Sequence, residues 1–320
     1  MNYFLKRVLY AIPMIIGITL LSFIIMQVAP GDPTMMFTDP NVSLEDMQQV
    51  KANLGLDKPI IVQYGYWLSN IFQGNLGYSY KSGKPVFDIL LDRLPATLIL
   101  SISSLFLILI ITFPLGLISG YKKGSFFDDF VTIFSFFGMA IPTFWLGLMF
   151  ILLFSLQLNL FPTSGFLDHS LTNAGLFTKA LNISKHLFLP LLTIMVGGIA
   201  SLTRYYRFGI ISILNQEYIK SATARGLSEK RILFKHAFKN AALPIITILG
   251  LSLPGLISGS FIIEFIFSWP GMGQVGVEAV FSRDYPILMG AILFSSVLII
   301  LGNLLADVAY TLVDPRIRKS

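Results

Sequence analysis

Six apolar runs, each long enough to cross a bilayer, dominate this sequence and decide what it can fold into. A transmembrane helix needs about 20 mostly apolar residues. The runs lie near residues 8–28, 96–120, 130–158, 187–214, 241–263 and 286–310. Only 12% of the residues are charged, against roughly 25% in ordinary soluble domains. The sequence therefore predicts an all-α, polytopic membrane protein with six transmembrane helices.

The first run follows Lys6 and Arg7, as the apolar part of a signal peptide would. Its apolar stretch is too long for a signal peptide, and no small-residue cleavage pattern follows it. We therefore expect it to stay in the protein as the first transmembrane helix.

Positive charge predicts the orientation, because cytoplasmic loops of membrane proteins are enriched in Lys and Arg. With the N-terminus inside, 15 of the 23 Lys and Arg residues fall in cytoplasmic segments. Five of the other eight lie in the long segment 30–95, where the rule is weak. An even number of helices then returns the C-terminus to the cytoplasm. Topology explains most of the positive charge, so nucleic-acid binding is not expected.

Four regions follow from this topology. Residues 1–29 form an N-terminal tail and the first transmembrane helix, and residues 30–95 form an extracytoplasmic segment that is too long for a simple connector. Residues 96–310 form the core, with a cytoplasmic loop at 215–240, and residues 311–320 form a cytoplasmic tail.

The extracytoplasmic segment carries two helix signals. Ser43 followed by Asp46 resembles a capping box that opens a helix through about Asn53. Pro59 favours the start of a second helix with Ile61, Tyr64 and Leu68 on one face. We expect this segment to be folded.

The cytoplasmic loop is the most polar part of the core. Its neighbourhood holds eight basic residues and two acids, Glu217 and Glu229; the bases are Arg204, Arg207, Lys220, Arg225, Lys230, Arg231, Lys235 and Lys239. Small residues up to Gly226 and then a helical repeat predict two short helices with a glycine turn between them. The repeat consists of Leu233, Phe234, Ala237 and Phe238. Apolar side chains in a solvated loop favour contact with a partner protein.

Catalytic and metal chemistry have little support. The chain has no cysteine and no glycine-rich G-x-x-x-x-G-K-[ST] loop, so any ATP hydrolysis is expected in another chain. His169, His186 and His236 lack metal-ligand spacing, and we expect them at the surface. No catalytic residue, cofactor or metal site is predicted, and the chain is not expected to be an enzyme.

The predicted helices are almost bare of charge near their centres, which argues against an ion-coupled carrier. Glu264 closes the fifth run on the outer side, and Asp307 lies in the last turns of the sixth, where pairing with a nearby base is expected. Arg204 and Arg207 belong to the inner end of the fourth. Two small-residue pairs, Gly197 with Gly198 and Gly255 with Gly259, favour close helix packing.

Several segments in order resemble one family, the first permease subunits of bacterial ATP-binding-cassette (ABC) importers for dipeptides, oligopeptides and nickel. They are FLKRVLYAIPMIIGITLLSFIIMQVAPGDP, GLDKPIIVQYGYW, GNLGYSY, RLPATL, SATARGLSEKRILFKHAFKNAALP, FSWPGMGQ, RDYP and DPRIR. The resemblance covers essentially the whole chain. It implies a type I importer permease fold.

The family carries an E-A-A-x-x-x-G loop whose short helix contacts the ATPase. Aligned on Gly226, this chain keeps the second alanine as Ala222 and has Lys220 in place of the acid; Glu217 lies one turn earlier. By resemblance and position, the predicted ATPase-contacting residues are Glu217, Ser221, Ala222, Ala224, Arg225, Gly226, Leu227, Leu233, Phe234 and Phe238.

The resemblance implies a permease subunit that forms half of a pathway for peptides. Its implied partners are a second homologous permease, two cytoplasmic ABC ATPases and an extracytoplasmic solute-binding protein. An importer of nickel or another small solute and, from a different class, a membrane scaffold or sensor remain alternatives. The substrate-contacting residues are not assigned.

Overall fold

The computed structural model describes residues 3–28, 57–238, 240–242 and 260–313. Within these ranges the chain is mostly helical, and it forms no strand apart from an isolated bridge between Tyr78 and Pro85. The main helices are α1 (Tyr3–Val28), α2 (Ile60–Phe72), α3 (Val86–Tyr121), α4 (Phe126–Ala140), α5 (Thr143–Phe150), α6 (Leu176–Leu214), α7 (Glu217–Ala224), α8 (Glu229–Arg231), α9 (Phe261–Ile266), α10 (Met272–Ser282) and α11 (Tyr285–Val313). Two π-helical stretches continue α5 and α8, at Ile151–Gln157 and Ile232–Phe238.

Among the residues that the structure describes, three helices are long and apolar enough to cross a bilayer: α3, α6 and α11 over Tyr285–Leu304. A bent pair, α4 with α5 and its π-helical continuation, passes the same test if it is taken as one crossing. The apolar part of α1, Ile12–Val28, is shorter. Most of the fifth predicted run lies outside the described residues, as do the predicted helix after Ser43 and the pair Gly255 and Gly259.

The third predicted run is not one straight helix. Its two halves meet at an angle of 99°, because Pro142 has no amide hydrogen and holds the preceding residue out of the α region. Ile141 accordingly has an extended backbone, with φ −78° and ψ 124°. The apolar run predicted at 130–158 is therefore divided into two helices at Pro142.

Glycines bring α3 and α6 together, side by side and in the same direction. Gly116 lies against Tyr206 and Gly120 against Ile210, where an added Cβ would lie only 2.8 Å from the facing side chain. Gly198 packs in the same way against Ile108. The close packing predicted for Gly198 is therefore confirmed, and it serves contacts within the chain.

The bent pair runs back along α6 in the opposite direction. Gly138 of α4 lies beside Val196 and Ala200, and Gly147 of α5 lies beside Thr193. The chain between the two parallel helices α3 and α6 therefore returns to the side from which α3 began.

The segment before α3 is folded where the structure describes it. Helix α2 begins after Pro59, as predicted. Tyr64 is buried and bonds Thr19 of α1 through its hydroxyl at 2.9 Å. Leu68 packs on the same cluster, but Ile61 is 82% exposed.

Candidate functional site

The segment between α6 and the end of the second π-helix is the candidate site. Helix α6 ends at Leu214 and α7 begins at Glu217, so only Asn215 and Gln216 separate them. A connection this short leaves little freedom between the two helices. A displacement of α7 is therefore transmitted to α6.

Gly226 ends α7 in a left-handed conformation, with φ +77°. Its amide donates to the carbonyl of Thr223 at 2.9 Å, and the amide of Leu227 donates to the carbonyl of Ala222 at 3.2 Å. These two bonds form a Schellman motif, which satisfies the carbonyls at the end of a helix. The predicted pair of short helices with a glycine turn is confirmed, since α8 and its continuation follow at once.

The predicted site residues on α7 divide into two faces. Ile219 and Ala222 are buried against the rest of the chain. Residues on the other face are exposed; they include Glu217, Ser221, Ala224 and Arg225. Lys220 pairs with Glu217 at 2.8 Å on this exposed face. Ala222 therefore anchors α7, and its neighbours form the free surface.

The apolar repeat after Gly226 mostly packs inward. Ala237 is fully buried against Tyr206 and Ile210 of α6, and Leu233 and Phe238 pack on the same cluster. Phe234 is 60% exposed and belongs to the outer surface. Leu227 is partly buried. The spacing that predicted a partner-binding stripe thus largely encodes attachment to α6.

The exposed surface of this segment is basic. Lys220, Arg225, Lys230, Arg231 and Lys235 are all exposed. Such a surface suits a partner that offers carboxylates.

Two hydrogen bonds that the sequence did not indicate tie the segment to the rest of the chain. Tyr121, the last residue of α3, donates through its hydroxyl to Glu229 at 2.7 Å. The side-chain amide of Asn240 donates to the hydroxyl of Tyr218 at 3.0 Å. The Tyr206 hydroxyl of α6 also donates to the carbonyl of Phe238 at 3.2 Å, so the segment is bonded to both α3 and α6.

An ion pair locks the same ends of α3, α4 and α6. Asp128 accepts from Nε and Nη2 of Arg207 at 2.5 and 2.7 Å, and from the Ser119 hydroxyl at 2.5 Å. The Gly124 amide adds a fourth bond at 2.9 Å. Asp128 is 1% exposed. Arg207, grouped in the sequence with the solvated bases, is instead a paired and mostly buried residue.

Sequence reasoning missed this pair because Asp128 and Arg207 are 79 residues apart. A weaker signal was present. The amide of Asp128 donates to the hydroxyl of Ser125, which caps α4, and Ser followed three residues later by an acid is a helix-start pattern.

Two more buried carboxylates, those of Glu264 and Asp284, lie near the other end of α3. Glu264 is fully buried; it accepts from Thr97 at 3.0 Å and from the Gly273 amide at 2.7 Å. Asp284 is 1% exposed and accepts from the Ser79 hydroxyl at 2.5 Å. Burial, with Asp284 nearby, raises the pKa of the Tyr80 phenol to about 12, so Tyr80 stays neutral. These contacts hold α9 to α11 against α3.

The histidines do not form a cluster. His169 is exposed and His236 is partly buried. His186 is only 7% exposed, and its Nδ1 lies 3.0 Å from the carbonyl of Asn182. The prediction of a surface histidine at this position was wrong, because the loop that carries Asp168 folds over α6 there.

The described part of the chain thus combines long apolar helices, typical of a membrane protein, with a short basic segment bonded to two of them. The chain belongs to the family of binding-protein-dependent transport system inner membrane components, and the sequence profile of that family matches residues 112–319. The N-terminal domain of such membrane components matches residues 1–101. The chain is thus a membrane permease component.

Curated relatives are similar to this chain over almost its full length. The chain is 44% identical over 316 residues to an oligopeptide transport system permease protein of Bacillus subtilis (strain 168), which covers 98% of each chain. It is 37% identical over 335 residues to a dipeptide transport system permease protein of Escherichia coli (strain K12), with 99% of each covered. A putative peptide permease protein of Brucella suis biovar 1 is 36% identical, also over 99% of each.

Proposed function

We propose that this chain is one permease subunit of an ATP-driven importer and forms half of the pathway through which peptides cross the bacterial cell membrane. The proposed substrate class rests on a sequence identity of 37–44%, over almost the full length, to proteins named as dipeptide and oligopeptide permeases. The chain itself is not an enzyme in this proposal. ATP hydrolysis belongs to partner subunits.

The proposed assembly has this chain paired with a second homologous permease, two cytoplasmic ABC ATPases and an extracytoplasmic solute-binding protein. The chain contributes six transmembrane helices, the fifth over about residues 241–263, with both termini in the cytoplasm. Regions 1–29, 30–95, 96–310 and 311–320 keep the roles predicted above. The parallel course of α3 and α6, with the bent pair returning between them, supports this topology.

In this proposal, ATP hydrolysis is coupled to transport through residues 217–238, which we call the α7 segment. The exposed residues Glu217, Ser221, Ala224, Arg225 and Phe234 contact the ATPase, and Gly226 sets the turn between the two short helices. The inward residues Ala222, Leu227, Leu233 and Phe238 hold the segment to the bundle. The two-residue connection to α6 supports this role, because motion of the ATPase then tilts a long membrane helix.

The test is uptake of a labelled dipeptide into proteoliposomes that contain both permeases and the ATPases. ATP is supplied in the lumen, and the binding protein is added outside. We expect accumulation that requires ATP hydrolysis. An unchanged lumenal peptide concentration with uptake of a nickel complex would move the chain to the alternative substrate. No uptake of either would favour a scaffold or sensor.

A further inference from the structure

Arg204 lies well inside α6, ten residues before the helix ends at Leu214. At 1.5 Å per residue, this is about 15 Å from that end. Its guanidinium carbon lies 4.8 Å from the ring centre of Phe136 on α4 and 5.9 Å from that of Phe208 on α6. Both rings are more than half exposed in the isolated chain.

The guanidinium lies between a ring of α4 and a ring of α6. Helices α4 and α6 are antiparallel, and Asp128 pairs with Arg207 while Gly138 lies beside Ala200. Phe136 lies between these two contacts on α4, as Arg204 does on α6, so the two side chains meet about one helical turn beyond the Asp128–Arg207 pair.

Arg204 has no carboxylate partner within the part of the chain that the structure describes. Arg207, one turn later, has two short bonds to Asp128. The two arginines thus differ in kind. Arg207 is a structural residue, whereas the charge of Arg204 is available to a ligand.

The face of α6 that carries Arg204 combines this charge with hydroxyl groups and aromatic rings, among them the exposed Tyr205. Ser201, Phe208 and Ser212 follow the same stripe at helical spacing, and all three are exposed. The opposite face, with Thr203, Tyr206 and Ile210, is buried against the chain itself. An unpaired arginine that faces lipid within a membrane helix is energetically costly. A stripe with this charge and two hydroxyls therefore belongs on a water-filled pathway.

We propose that Arg204 lines the translocation pathway and binds the C-terminal carboxylate of a peptide in transit, an inference that rests on the proposed function. Every linear peptide with a free C-terminus presents this group whatever its side chains are. The planar guanidinium binds a carboxylate through two parallel hydrogen bonds. Phe136 and Phe208 orient the guanidinium and exclude water from one side of it.

The test compares uptake of a dipeptide with uptake of its C-terminal amide in proteoliposomes that contain the complete importer. We expect R204Q to lower the ratio of acid to amide uptake roughly tenfold, the effect of one charge-assisted bond pair. R204K keeps the charge but loses the planar fork, so its ratio falls between the two. K185Q removes a charge from an exposed position on the same helix and is expected to leave the ratio unchanged.

An unchanged ratio in R204Q, or in R204K if R204Q does not fold, would overturn the inference. Loss of the second permease from purified R204Q complexes, with the thermal stability of the isolated chain unaltered, would also overturn it. That result would assign Arg204 to an acid of the partner subunit. If the wild-type complex imports neither compound, the proposed function fails instead.

Discussion

Gly226 shows how one residue fixes the shape of the proposed ATPase-contacting segment. An added Cβ would meet nothing within 4 Å, so the requirement for glycine comes from its φ of +77° and not from crowding. We expect G226A to destabilise the turn by about 1 kcal/mol. Hydrogen exchange at residues 217–238 checks this, with protection expected to fall about fivefold.

G226N is the matched control for that experiment. Asparagine tolerates the left-handed conformation better than alanine does, so protection should lie between that of the wild type and that of G226A. Equal protection in all three chains would mean that the turn does not depend on the Schellman motif.

The ion pair between Asp128 and Arg207 leads to a prediction about stability at the scale of single residues. D128N leaves the guanidinium of Arg207 without its counter-charge, in a position where only 15% of the arginine side chain is exposed. We expect a loss of about 2–3 kcal/mol in the free energy of unfolding. Thermal unfolding of the purified chain in detergent is the measurement.

The neighbouring D129N is the control, because Asp129 is exposed and its loss should change little. The double variant D128N/R207Q removes both charges and should be more stable than D128N alone. If D128N and D129N unfold at the same temperature, the pair does not stabilise the bundle.

At the scale of elements, glycines decide how closely α3 and α6 approach. A methyl group on Gly120 would lie 2.8 Å from Ile210 and 3.0 Å from the Arg207 carbonyl. We expect G120A to cost about 1–3 kcal/mol through overpacking, measured by thermal unfolding. G65A, in an exposed and open position of α2, should be neutral or slightly stabilising because alanine favours a helix. Equal destabilisation by both would contradict close packing at Gly120.

Local patterns in the sequence predicted the elements well where a single stretch carries the information. The start of α2 at Pro59 and the turn at Gly226 both follow from the backbone preferences of one residue. The break at Pro142 was visible as a proline, but membrane helices often absorb proline, so its consequence depended on packing.

Partners distant in sequence could not be predicted in the same way. No period or motif connects Asp128 to Arg207, or Tyr121 to Glu229, and each pair exists only because α3, α4, α6 and the α7 segment meet at one end of the bundle. The apolar repeat at Leu233 to Phe238 was recognised, but a periodic pattern does not reveal whether its surface meets the same chain or another one.

At the scale of the whole molecule, the long helices and the basic segment form one mechanical unit. Helix α6 connects to α7 through two residues, and Tyr121 and Tyr206 bond the segment to α3 and α6. In the proposed importer, motion of the ATPases enters through this segment and changes the tilt of α6. Arg204 lies on α6, so the same motion changes its position in the pathway.

The most direct measurement uses the absence of cysteine from the chain. A single S221C variant is assembled with partners whose only cysteine lies on the ATPase surface proposed to contact α7, and the complex is treated with a short bifunctional maleimide. The account predicts a cross-link between the permease and the ATPase whose yield changes when ATP is added. Labelling of S221C by a membrane-impermeant maleimide from outside intact cells, with no cross-link to the ATPase, would contradict it.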